Sequence, residues 1–188
     1  MDIDWNAEVI DQLESHWQHQ LRPRLRGLTD DEYYWQPVPD CWTISRRGHS
    51  AAPISFGAGE FTLDYADPPP VPAPVTTIAW RLGHITEGFA ETNGTHFGAR
   101  PTDVSTYEYA GTADAALRQL DDAHDTWIEG VRSLGTKGLT QPQGPLQPPE
   151  FADAPMAKLI LFTTAEVIHH GAEIALLRDL YLRHHVTA

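Results

Sequence analysis

Thr164-Ala165-Glu166-Val167-Ile168-His169-His170-Gly171-Ala172-Glu173-Ile174 is the stretch whose reading decides the fold, because a strongly apolar helical run here carries a carboxylate and an imidazole on its inward side. Stepping by 100° per residue from Leu159 brings Glu166, His170 and Leu177 within about 20° of one line, with Thr163, Ile174 and Tyr181 beside it. That line reads as the packed seam of a long helix. Residues four apart on a helix have Cβ atoms roughly 5–6 Å apart, so Glu166 and His170 are placed to meet one cation from a single rigid element. The same spacing also suits a plain hydrogen bond at a helix surface. The apolar surroundings weigh towards the metal pair, since a buried charge needs a counter-charge, hydrogen bonds or a metal. A third ligand from elsewhere in the chain would complete such a site.

With 188 residues and 41% hydrophobic content, the chain is expected to form one domain, 1–188, with a substantial core. Its 13 Lys and Arg against 26 Asp and Glu give a formal charge of −13, which opposes unassisted binding to nucleic acid or to an anionic membrane surface. The start Met1-Asp2-Ile3-Asp4-Trp5 has neither a basic leader nor an apolar run, and no stretch reads as a membrane span of roughly 20 residues. A soluble, cytoplasmic protein with no nucleic-acid or membrane partner is expected. Cys41 is the one cysteine, which excludes an internal disulfide and paired-cysteine motifs. Ten histidines are spread along the chain, and most are expected at the surface or in ordinary hydrogen bonds.

Outward from the opening stretch, the periodicity predicts four long helices. Trp5, Val9, Leu13, Trp17 and Leu21 recur at four-residue steps, giving a first helix that stops before Pro23. Thr29 to Glu32 has the spacing of a capping box on a short helical turn. From Asp40 to Pro74 the run of Gly, Pro and scattered aromatics reads as a long irregular connection, an ordered cover on the helices. The second helix opens near Thr77 and buries Ile78, Leu82, Ile85 and Phe89. His84 lies roughly opposite that stripe, on a face with Trp80, Glu87 and Glu91, where the two acids argue for solvent. A third helix runs from Gly111 to about Leu134 with Gly135 as its stop, and the fourth from about Ala152 to Leu182. His16 and His124 read as structural, and His184 and His185 as groups at a helix C-terminus. Few strand signals appear. The expected fold is all-α, a four-helix bundle with one long crossover between helices one and two.

Three segments carry a resemblance to a known family: Cys41-Trp42-Thr43-Ile44, Thr77-Ile78-Ala79-Trp80-Arg81-Leu82-Gly83-His84-Ile85, and Glu166-Val167-Ile168-His169-His170-Gly171-Ala172-Glu173-Ile174. With these the chain resembles the DinB-like superfamily, four-helix bundles whose metal site is formed by helices two and four. Many relatives carry His-x-x-x-His in helix four. Here His169 has Ala165 four residues before it, and His170 has Glu166. That Glu-x-x-x-His version is similar to mycothiol-dependent maleylpyruvate isomerases, in which His, Glu and His bind zinc.

The resemblance implies a divalent metal held by His84, Glu166 and His170, zinc first, with nickel, iron(II) and manganese as the other candidates. It implies a transferase or isomerase that uses a low-molecular-weight thiol, of the mycothiol or bacillithiol type, as cosubstrate, the metal activating the thiolate. Arg81, Glu87, His49 and His169 are the candidates for orienting the thiol, and Cys41 is assigned to packing. Two alternatives stand beside this reading: a hydrolase using metal-bound water on an ester or amide, and a non-catalytic, stress-related bundle in which a metal ties two helices together. A small-molecule substrate is expected throughout, and helical domains of this size often pair as homodimers.

Overall fold

The structure, a computed structural model, describes residues 2–186. Asp4 caps α1 (Trp5–His16) by accepting from the backbone N–H groups of Asn6 and Ala7. A π-helical stretch, Trp17–Leu21, then leads into α2 (Arg22–Arg24), so the helical path continues past Pro23 instead of stopping before it. In the wider turn the Arg22 N–H reaches Trp17 O, which shifts the bonding register just before the residue that has no N–H to offer. The short α3 (Asp30–Tyr33) is capped by Thr29 as expected. The Glu32 half of the capping box is different: its carboxylate is buried and held by Arg178, at 2.6 and 3.0 Å. A charge-assisted fork of that kind outweighs a local turn contact.

Three strands follow, β1 (Ile44–Arg46), β2 (Ile54–Phe56) and β3 (Phe61–Tyr65). They form an antiparallel sheet in the order β1-β3-β2, with Ile44 opposite Leu63 and Ile54 opposite Tyr65. The all-α expectation is therefore corrected to a mostly helical protein with a small three-stranded sheet. The sheet escapes sequence patterning because β1 and β2 have three residues each. In β3 the residues Phe61-Thr62-Leu63-Asp64-Tyr65 do alternate apolar and polar, but over only five positions, and Thr62, Leu63 and Asp64 are all buried, so the alternation does not separate an inner face from an outer one. Asp64 tolerates this because it accepts from Thr43 N–H at 2.9 Å and Ser50 Oγ at 2.6 Å.

The remaining helices are α4 (Ile78–His96), α5 (Ala113–Leu139), the single turn α6 (Pro149–Ala152) and α7 (Met156–Val186). Thr77 and Thr112 cap α4 and α5. Gly135, expected to end the third helix, interrupts α5 with φ 57° and ψ 176°, after which one further helical turn runs to Leu139. α4 packs most extensively on α5 and also on α7, while α1 packs on both α5 and α7. Leu13, Leu82, Phe89, Leu120, Trp127, Ile160 and Ile174 fill the space between them. The inward positions are Asn6, Ile10 and Leu13 on α1 and Trp17 and Leu21 in the π-helical stretch, and Trp5 is exposed. Asn6 faces in because its amide donates to Val131 O at 2.9 Å. Met156–His185, within α7, is long and apolar enough to cross a membrane by length and composition, which corrects the expectation that no stretch qualifies. Part of that apolar content is buried in the core, through Met156, Ile160, Val167, Ile174 and Leu177.

The sheet presses on α4 at Gly83, where a Cβ would lie 2.7 Å from Ile44 Cδ1, 3.1 Å from the Tyr109 ring and 3.3 Å from Leu63 Cδ1. All three neighbours are buried and have little room to retreat. Gly83→Ala in an unconstrained helix gains up to about 1 kcal/mol. Here we expect a net loss of about 1–3 kcal/mol from overpacking, read as a lower denaturant midpoint. A variant as stable as the parent would show that sheet and helix are not in close contact.

Candidate metal centre

α4 and α7 run antiparallel, so that His84 near the start of α4 meets Glu166 and His170 in the middle of α7. His84 Nε2 is 3.8 Å from Glu166 Oε2, and His170 Nε2 is 3.5 Å from the same oxygen. The two imidazoles meet edge to face with ring centres 5.0 Å apart. One ligand atom from each of the three residues lies within 4.8 Å of the others. Two donors on a tetrahedral zinc, each about 2.1 Å from the ion, stand roughly 3.4 Å apart, so modest side-chain adjustment suffices to share one cation. The donor set fits a divalent ion.

Two neighbouring groups hold the imidazoles in place. His170 Nδ1 is 2.7 Å from Glu173 Oε2, and Arg81 Nη1 donates to that same oxygen while lying 3.1 Å from Nδ1. A carboxylate only accepts and a guanidinium only donates, so the proton must sit on Nδ1 and Arg81 must bond to the carboxylate. That arrangement leaves Nε2 of His170 as the nitrogen facing Glu166 and His84. His84 stacks on Trp80, with ring centres 5.2 Å apart, and the Trp80 indole donates to Asp64 O on β3 at 2.8 Å. The sheet thus fixes the ring against which His84 rests. Burial, and then the neighbouring His170, pull the His84 imidazole down to about 4, with Glu166 opposing. Although 40% of its side chain is solvent-accessible, the ring is hemmed in by Trp80, Glu166 and His170, and this crowding disfavours its charged form. It is neutral near neutral pH and presents a lone pair.

The three residues line one end of a cavity of about 440 Å³ between α4 and α7, closed over by Gln143, Leu146, Gln147 and Phe151. Such a volume suits a small molecule. A larger recess, about 860 Å³, follows α1 and the Gly135 end of α5, away from every cluster of converging ligand atoms. The other such cluster among the described residues, His169, His170 and Glu173, shares His170 and uses a carboxylate already paired with Arg81, whose charge repels a cation.

Of the other residues singled out in the sequence, Arg81 reaches the site and His49 is exposed in the β1–β2 connection, away from the cavity. His169 is mostly exposed, 3.5 Å from Glu173. Cys41 is buried and donates to Val38 O, which agrees with a packing role. His124 is buried, stacked on Trp17 at 3.7 Å and 3.2 Å from Glu14. The role of Glu173 was missed, although its place three residues after His170 was the signal available. Glu87, expected in solvent, is buried in the cavity wall because Tyr107 and Tyr109 cover that turn of α4.

A sequence model of the DinB superfamily matches residues 12–174, a span that contains all three converging side chains. No curated protein and no solved structure gives a significant match.

Burial, followed by the charges of Glu91 and Asp103, pushes the Glu87 carboxyl up to about 7. A carboxyl with a raised folded pKa takes up its proton more readily in the folded state, so its contribution is fully present below about 4.5 and is lost as pH rises through about 7. His84 acts in the opposite sense, its contribution being lost as pH falls from about 6.5 towards 4. Glu87→Gln isolates the first effect. In chelator-treated protein it should leave stability nearly unchanged near pH 4.5 and raise it by on the order of 1–3 kcal/mol near pH 8. Parallel denaturation profiles for parent and variant across that window would remove Glu87 from the buried set.

Proposed function

The chain belongs to the DinB superfamily, and from that premise we propose that it is a metal-dependent enzyme in which His84, Glu166 and His170 hold a divalent ion, zinc first, that activates a low-molecular-weight thiol for transfer or isomerisation. The observation that carries the reading is the meeting of two imidazoles and one carboxylate, from helices more than eighty positions apart in sequence, at the end of a small-molecule cavity. Two His and one carboxylate leave coordination positions open. When bound, the ion supplies a Lewis acid that favours the thiolate over the thiol near neutral pH.

The chain's own residues set the conditions for that chemistry. Glu173 keeps the His170 proton on Nδ1, and Arg81 holds Glu173 in place. His84 stays unprotonated between Trp80 and His170. Glu166 brings the single negative charge that the two neutral rings lack, and it partly offsets the charge of a dication. Phe89, Leu159 and Phe162 line the cavity beside these groups and limit the water that reaches the thiol.

In the same reading the chain is one DinB-like domain, a four-helix bundle of α1, α4, α5 and α7 whose long crossover carries the sheet, acting in the cytoplasm on a small molecule. Exposed Leu161, Leu176 and Leu180 on α7 support pairing into a homodimer.

Tag-free protein should contain close to one equivalent of metal by elemental analysis. Glu166→Ala should lower its metal affinity by on the order of a hundredfold or more, with the helical circular dichroism retained. In the cobalt-substituted protein, addition of a thiol should produce a sulfur-to-metal charge-transfer band. Unchanged metal content in the variant would refute the ligand assignment, and a metal-loaded protein with no thiol band would refute the thiol chemistry.

A further inference from the structure

Beyond the metal ligands the cavity is strongly asymmetric in charge. Glu87 and Glu91 continue along α4 from His84, one and two turns on, at about 5 and 10 Å along the helix axis. Residues at these spacings share a helix face. Glu87 is only 7% exposed, forms no ion pair among the described residues, and its Oε1 has no hydrogen-bond partner. The groups around it sharpen the anomaly: Glu91 on its own helix and Asp103 from the following segment are both acids, and Tyr107 and Tyr109 face it without a charge to offer. Lys158 is the one Lys or Arg among the described residues lining the cavity, and its ammonium lies over the Phe151 ring, 5.1 Å from its centre. A buried carboxylate without a partner is costly, and among the described residues no group forms an ion pair with Glu87 or a hydrogen bond to its Oε1.

We propose that this part of the cavity receives an organic ammonium group, so that the substrate is a small primary amine whose cation meets Glu87 and Glu91 while its apolar body lies against Leu159 and Phe162 of α7. The proposal deepens the functional reading above and rests on its choice of this cavity as the substrate site. A metal ion does not fit the same acids, because the oxygens of Glu87, Glu91 and Asp103 are not gathered within 4.8 Å as those of the metal-capable groups are. An ammonium with an alkyl or aryl body spans such a separation. In the metal-free protein phosphates and carboxylates are disfavoured, since Glu87, Glu91 and Glu166 line the space and Lys158 is the one Lys or Arg among the described lining residues. The wall opposite Glu87 supplies the apolar contact, with Phe162 and Leu146 largely exposed and free to cover a ligand.

The test is calorimetric or NMR titration of the full chain, both chelator-treated and zinc-loaded, with phenethylamine, phenethyl alcohol and 3-phenylpropionate. At about pH 8 the amine is a cation and Glu87 is ionised. In the chelator-treated protein phenethylammonium should bind about tenfold more tightly than the alcohol, and the carboxylate more weakly than either; in the zinc-loaded protein the preference for the amine over the alcohol should persist, while the carboxylate gains the ion as a partner. Glu87→Gln should lower the amine's affinity by about tenfold and leave the alcohol's unchanged, whereas Glu91→Gln should cost less because Glu91 is more exposed. Equal binding of the three probes, binding of none, or a preference for the amine that survives in the double variant would overturn the proposal. Metal content measured on the same samples separates the two readings. Bound metal without amine preference sinks the ammonium site alone, and amine preference in protein that takes up no metal sinks the metal centre alone.

Discussion

The hydrogen bond from His170 to Glu173, with Arg81 clamped on the same carboxylate, is the interaction on which the site depends. α7 is buried for apolar reasons, through Ile160, Val167, Ile174 and Leu177. Its packing carries His170 inward until only 12% of the side chain remains exposed. A polar ring in that position needs a partner, and one turn of helix supplies it from the same element. Because the partner is a carboxylate, Nδ1 is fixed as the donor, and Nε2 is turned across the cleft at α4. Arg81 completes the arrangement from α4, so the two helices are tied together next to the place where their ligand atoms meet.

The crossover between α3 and α4 does more than connect. Its sheet lies against α4 at a glycine, and β3 gives a backbone carbonyl to the Trp80 indole, whose ring supports His84. The third side chain of the converging trio is therefore positioned by β3, and both carboxylate oxygens of Asp64 in that strand are bonded, to Thr43 and Ser50. Rigid support of this kind is what distinguishes a preorganised site from a chance meeting of polar groups.

The same crowding produces two opposite anomalies on one helix face. His84 is held neutral beside other cation-seeking groups, and Glu87, one turn later, is held among acids with no counter-charge. One end of the cavity thus offers lone pairs to a metal and the next part offers negative charge to a cation, with aromatic and aliphatic surface opposite both. A ligand that suits the whole length is bifunctional, and the chain's overall charge of −13 favours the approach of a cationic one.

The sequence by itself determined the four long helices, the inward stripe Ile78, Leu82, Ile85 and Phe89, the break at Gly135, and the pairing of Glu166 with His170. All of these follow from local periodicity and backbone chemistry that neighbouring residues carry within themselves. It also supplied His84, through likeness to a family, though its own helical phase pointed elsewhere. Only the tertiary structure decided that the face holding His84 and Glu87 is covered, because the cover comes from a sheet of three- to five-residue strands and from Tyr107 and Tyr109, segments separate in sequence from α4. It likewise decided that the Glu32 carboxylate pairs with Arg178 and not with its own turn, and that Glu173 meets His169 with one oxygen and His170 and Arg81 with the other. Burial of a polar side chain is a property of what other segments lay over it, so no pattern in the segment that carries it can announce the fact.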